Sequence, residues 1–182
     1  MEKYVIITAL SAASAVFAVL AWFVFRLREE RLVGTETLLR NKFFGAVLAA
    51  GALAWCAPHV QAVAWHSLTP WVWPLAGLSL FLSVKYLDNV VARAFAGLLI
   101  MGSYSFLDMS FDYRLGMYIS GALPAWFWGI VGIVIAAKPC YLRDFLRLCS
   151  RKSFWRYLAG ILSVVTAVFL LAAIAIFLKV QG

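Results

Sequence analysis

Charge is scarce in this sequence, and none of it lies where coupled transport would need it. Only 13% of the 182 residues are Asp, Glu, Lys or Arg. None falls near the middle of a long apolar stretch. Proton- and ion-coupled carriers place a carboxylate, His or Lys inside the bundle, so that class is disfavoured. Cysteine is equally sparse, with three residues. Cys56 falls near one end of the apolar stretches and Cys140 and Cys149 near the other, which excludes a disulfide framework built on Cys56. The two histidines, His59 and His66, lie outside the apolar stretches on one edge, the wrong arrangement for a b-type haem. No acid, base and nucleophile converge, so no enzyme signature is present and no cofactor is expected.

What fills the chain instead is apolar sequence. Hydrophobic residues make up 65% of it and the mean hydropathy is +0.92, more than one soluble core can hide. Six stretches are each long enough to cross a bilayer, at about 4–25, 38–57, 70–86, 89–107, 117–137 and 154–180. The expected fold is an all-α, polytopic membrane bundle of six helices in a single domain over 1–182. Ala13-Ser14-Ala15 has the look of a signal cleavage site, but the apolar run continues to Phe25 and meets Arg26-Leu27-Arg28, a stop-transfer flank. The first span is therefore read as uncleaved.

Local signals set expected boundaries. The first helix runs on through 26–31 and stops at Gly34, a good C′ residue, with Thr35 capping the second. Pro58 is expected to end the second span near Ala57. Thr69-Pro70 reads as an N-cap and first-turn proline for the third. A polar loop is expected at 108–114, and Pro139 closes the fifth span. An amphipathic connector follows at about 140–152.

The basic residues then give an orientation. Thirteen of the 16 Lys and Arg fall in three alternate connectors, at 26–42, 85–93 and 138–156; the other face holds only Lys3, Arg114 and Lys179. The positive-inside rule puts those connectors in the cytoplasm and both termini outside. Trp55, Trp65, Trp71 and Trp73 fit an aromatic belt on the outer face. The net charge of +8 thus points to anionic headgroups rather than nucleic acid. A bacterial inner membrane is the expected location.

Several groups of residues invite a chemical reading. Asp88-Asn89-Val90-Val91-Ala92-Arg93, with Asp108 and Asp112, is similar to the metal-binding signature of the CDP-alcohol phosphotransferases. Lys85 stands where that signature begins with Asp, and Asn89 replaces its glycine. Asp88 and Asp108 are also about 30 Å apart along one helix, so they cannot share a metal, and the family is rejected. The bland reading of Lys85, Asp88 and Arg93 is a charge-balanced hairpin; the functional one is a lipid-headgroup contact through Arg93. Cys56, His59, His66, Asp108 and Asp112 gather on the outer side without ligand-type spacing, so no metal is expected.

The connector at 140–152 is more suggestive. Leu142, Phe145, Leu146 and Cys149 fall on one helical face, and Arg143, Asp144, Arg147 and Arg151 take the rest. Arg93, Arg143, Arg147, Arg151, Lys152 and Arg156 are the expected contacts to anionic headgroups or to a protein partner. Small residues, Gly45, Ala49 and Ala52 on one span and Ala92 and Ala96 on another, allow close helix packing. Ser103, Tyr104, Ser105 and Ser120 are the hydroxyls available for a polar groove between the fourth and fifth spans.

Two functions compete on this reading. The first is a non-catalytic accessory, scaffold or assembly subunit working through its basic cytoplasmic face. The second is a small uncoupled transporter, channel or substrate-binding component using the hydroxyl-lined groove.

Overall fold

The computed structural model describes residues 2–112 and 118–181, and side chains for 7–111 and 122–178. The described residues are helical, with no strand among them. The helices are α1 (Glu2–Phe25), α2 (Glu29–Arg40), α3 (Lys42–Val63), α4 (Val72–Tyr86), α5 (Val90–Asp112), α6 (Tyr118–Ala137), α7 (Cys140–Arg151) and α8 (Ser153–Gln181). Four stretches are long and apolar enough to cross a membrane: Ile7–Phe25, Lys42–Val63, Val90–Phe111 and Ser153–Leu178. A fifth arises if Ala122–Ala137 and α7, which meet at a 114° bend, count as one broken span. Between 17% and 44% of each apolar window is buried. The remaining apolar surface is consistent with an integral membrane protein.

Several boundaries differ from the sequence expectation. The first break comes at residues 26–28, ahead of Gly34, which lies inside α2 together with the buried Thr35. Glu29 and Glu30 open α2 at its positive end and Arg40 closes it at the negative end, so the charge pattern favours a separate helix. The next start is set by Asn41 rather than Thr35. Its side chain accepts hydrogen bonds from the Phe43 and Phe44 N–H groups at 2.9 and 3.2 Å, an N-cap worth about 1 kcal/mol. The span expected at 38–57 thus begins at Lys42.

It also ends later. Pro58 lies within α3, which continues to Val63. The proline forfeits one backbone bond, but in an apolar surrounding the neighbouring groups gain more by staying helical than by unwinding. Thr69 does not cap α4. Its hydroxyl faces the Trp65 carbonyl at 3.4 Å, and Thr69–Trp71 form a single 3-10 turn that leads into α4. Asp108 lies inside α5, which extends to Asp112; Arg114 is outside the described residues.

The chain divides into two compact units. One comprises Met1–Leu32, Gly102–Phe127 and Asp144–Gly182; the other comprises Val33–Met101 and Trp128–Arg143.

In the first unit α1 packs against α8 in antiparallel fashion. Leu10, Leu170 and Phe177 form the buried centre, with Phe17, Phe106, Met109 and Ile174 around it. The Ser14 hydroxyl donates to the Ala167 carbonyl at 3.0 Å, a cross-helix bond between two buried residues. Further along, Gly160 lies under the Phe25 ring, where a Cβ would come within 2.5 Å.

In the second unit small residues set the helix spacing. Gly45 of α3 meets Val90 and Val91 at the start of α5, and Gly97 of α5 faces Ala52 of α3. Gly132 of α6 sits against Ile100, Leu99 and the Ala96 carbonyl of α5. Ala96 is fully buried.

These two tight glycines differ in what blocks them. A methyl at Gly160 meets a rotatable ring, whereas one at Gly132 meets a backbone oxygen 3.0 Å away. Gly132→Ala is therefore expected to cost about 1–3 kcal/mol and Gly160→Ala distinctly less. Thermal unfolding in detergent, followed by monodispersity, measures the difference.

Candidate functional site

Most basic residues of the first unit flank one end of the α1–α8 pair, where α1 stops and α8 starts. α1 ends at Phe25, and α8 begins at Ser153 beside it. Arg156, on the first turn and a half of α8, donates from Nη1 to the Leu27 carbonyl at 3.3 Å. Leu27 itself is 1% exposed, so this bond satisfies a carbonyl at a break where the helical ladder cannot. Arg26 covers the Trp22 ring, 4.6 Å from its centroid, and Arg156 lies 5.5 Å from that of Tyr157. Both guanidinium groups are thus held by aromatic faces, while their charge remains available.

In sequence, the segments on either side of that joint hold Arg26, Arg28, Arg31, Arg147, Arg151, Lys152 and Arg156, against Glu29, Glu30 and Asp144. Arg151 pairs with Glu29 at 4.0 Å, between well-exposed side chains. Such a pair contributes little in water. The surface keeps a net positive charge.

α7 supplies part of this surface, and its burial follows the expected pattern only in part. Cys149 and Ser150 are buried, Leu142 and Leu146 half-buried, and Asp144, Phe145 and Arg151 exposed. Arg147 is half-buried, and Arg143, nearer the start of α7, belongs to the second unit. Phe145 was expected on the inner face with Leu142 and Leu146; it is 40% exposed, at the edge of the apolar stripe. Burial raises the Cys149 thiol to about 11, partly offset by the positive charge of Arg156. It is a packing residue rather than a nucleophile.

The hydroxyls proposed for a groove separate. Ser103 and Ser105 are buried and Tyr104 is 47% exposed. Ser103 and Ser110 share one face of α5, seven residues apart, while Ser105 faces nearly the opposite way. The buried oxygens of Ser103, Ser105 and Ser110 have no hydrogen-bond partner among the described residues. The side chain of Ser120 lies outside the described residues.

The second unit holds a groove that the sequence did not reveal. It is about 320 Å³, lies between α3, α4 and α5, and is lined by Ala49, Ala52, Leu53 and Cys56, by Ser79, Ser83 and Leu87, and by residues from Val90 to Met101, Arg93 among them. Arg93 is the charged residue in that lining. In the hairpin of Lys85, Asp88 and Arg93, the Lys85 ammonium turns to the Phe81 and Tyr86 rings at 5.6 and 5.2 Å, and Arg93 makes no ion pair among the described residues. Helical packing of apolar side chains carries no periodicity that would have announced the cleft.

No family model, curated protein or solved structure matches this chain.

Of the residues considered for a metal, Cys56, His59 and His66 fall in one unit and Asp108 in the other. Among the described residues no three His, Cys, Asp or Glu are grouped to hold a metal, and the side chain of Asp112 is outside them.

Two expectations follow. With the protein folded in detergent, maleimide at neutral pH should modify the exposed Cys140 rapidly and leave the buried, protonated Cys149 unmodified until denaturant is added; intact-mass spectrometry counts the adducts. Ser110→Ala removes a buried hydroxyl that makes no bond, so thermal unfolding should show no loss of stability and up to about 1 kcal/mol of gain.

Proposed function

We propose that this chain is a six-span inner-membrane protein with its basic connectors in the cytoplasm and both termini outside. On this reading α4 with its 3-10 lead-in serves as the third span and α6 as the fifth, and α7 lies along the inner headgroup layer. Its role is that of a non-catalytic accessory or assembly subunit, and its working surface is the basic end of the first unit.

The observation that carries this reading is the Arg156–Leu27 joint. Two segments more than a hundred residues apart in sequence are tied together there, with Arg151 beside Glu29, which supports reading their basic residues as one surface instead of two scattered flanks. Positive flanks that only set topology need no such tie. A joined, aromatic-braced basic surface suits an anionic headgroup layer or an acidic segment of a membrane-bound partner.

Affinity purification in mild detergent at native expression level, with particle mass and composition determined together, tests the reading. A stoichiometric protein partner is expected, and its recovery should fall at least tenfold in the double variant Arg151→Glu, Lys152→Glu. A lone 20.2 kDa chain or homo-oligomer, or a partner whose recovery ignores the charge reversal, would contradict it.

The transport reading keeps one specific support, the three unbonded buried hydroxyls of α5. Buried polar atoms without partners call for an explanation, and a polar solute is one. If that reading holds, the protein alone in liposomes moves a solute, and Ser103→Ala slows it.

A further inference from the structure

The groove of the second unit has a composition that is hard to assign to packing alone. Its walls are almost wholly apolar, and it runs beside α5 from Val90 to Met101, about 16 Å. At about 320 Å³ it is at the lower end of ligand-sized clefts and too small for another helix. One end is marked by Arg93, and no carboxylate lines any part of it. Arg93 has no ion-pair partner among the described residues. Two serines of α4, Ser79 and Ser83, add hydroxyls to the wall.

A slot with apolar walls and a cation at one end suits an amphiphile with an anionic head. We propose that the groove between α3, α4 and α5 is a binding site for one anionic phospholipid, with an acyl chain along Leu53, Gly97 and Met101 and its phosphate at Arg93. The physical argument is charge complementarity. Arg93 is exposed, so its guanidinium is free to reach the headgroup level, and a phosphate there is held by bidentate, charge-assisted hydrogen bonds. A zwitterionic lipid offers the same phosphate with its own ammonium competing for it, so the site prefers net negative headgroups. Arg93 lies within the first turn of α5, close to the level of a headgroup, and the chain below it runs toward the bilayer centre. The small residues Ala49, Ala52, Ala94 and Gly97 supply the room. They leave a cleft where larger side chains would close the wall.

The proposal rests on the membrane-spanning reading above but not on the docking role of the basic surface, which belongs to the other unit.

The test uses the full chain in mild detergent micelles supplied with phosphatidylglycerol and phosphatidylcholine of identical acyl chains, with retained lipid counted by native mass spectrometry. The wild type is expected to retain one phosphatidylglycerol, preferred over phosphatidylcholine by on the order of tenfold, the scale of a charge-assisted bond. Arg93→Gln should abolish the preference, and Ala49→Phe should abolish retention by filling the slot. Arg151→Glu with Lys152→Glu should leave the Arg93-dependent phosphatidylglycerol in place, whatever lipid it strips from the basic surface, which separates the two sites. Because Ala49→Phe risks misfolding, a photoactivatable acyl-chain phosphatidylglycerol in wild-type membranes gives a second readout. Crosslinks should map to the peptides holding Leu53 to Cys56 and Ile100 to Met101. Equal retention of the two lipids, a preference that survives Arg93→Gln, or crosslinks spread evenly over the outer faces of α1 and α8 would overturn the proposal.

Discussion

Helices with apolar exteriors gain little hydrophobic energy by meeting one another in a lipid surrounding, so contact has to come from shape and from the few hydrogen bonds that cross between them. Each unit of this protein obeys that constraint with small residues. In the first, the Ser14 hydroxyl on the Ala167 carbonyl and Gly160 beneath Phe25 bring α1 and α8 together at two levels. In the second, Gly45, Gly97 and Gly132 let α3, α5 and α6 approach at backbone distance. The large side chains are spent outward: Val16, Val19, Trp22, Phe81, Ile161 and Val165 are all more than half exposed.

Charge is handled by segregation. The spans carry almost none, and what remains collects at helix ends, where aromatic faces, carbonyls or helix dipoles hold it. Arg26 lies over Trp22, Lys85 over Phe81 and Tyr86, Lys138 over Tyr141 and Arg156 over Tyr157. These contacts anchor the long side chains without neutralising them. A basic surface built this way stays basic, which is what recognition of an anionic layer or partner needs. Arg93 has no aromatic brace among the described residues and lines the groove of the second unit instead.

The helical class and most element positions were legible because long apolar runs and basic flanks are strong, local signals. α7 and α8 begin within a residue or so of their expected starts, since Pro139 and the short connector leave few alternatives. The boundaries that shifted are those where two local signals compete. Asn41 overrides Thr35 because an extended backbone lets its side chain reach two N–H groups. Pro58 stops a helix in water more readily than among apolar side chains, where an unwound backbone has nothing to bond. The Arg156–Leu27 joint was not legible, because a guanidinium's choice of carbonyl depends on tertiary packing. Nor was the groove, because Ala49, Ala52, Ala94 and Gly97 read equally well as packing residues.

The central claim is that the two connectors joined at Arg156 share one side of the membrane and face the cytoplasm. Sidedness of labelling tests it most directly, using single-cysteine variants of a cysteine-free background at Glu30→Cys, Lys152→Cys and Ser67→Cys. An impermeant maleimide should reach position 67 in intact cells, and positions 30 and 152 only after the cytoplasmic face is opened. Labelling of 30 and 152 from opposite sides, or of both from outside, would contradict the account.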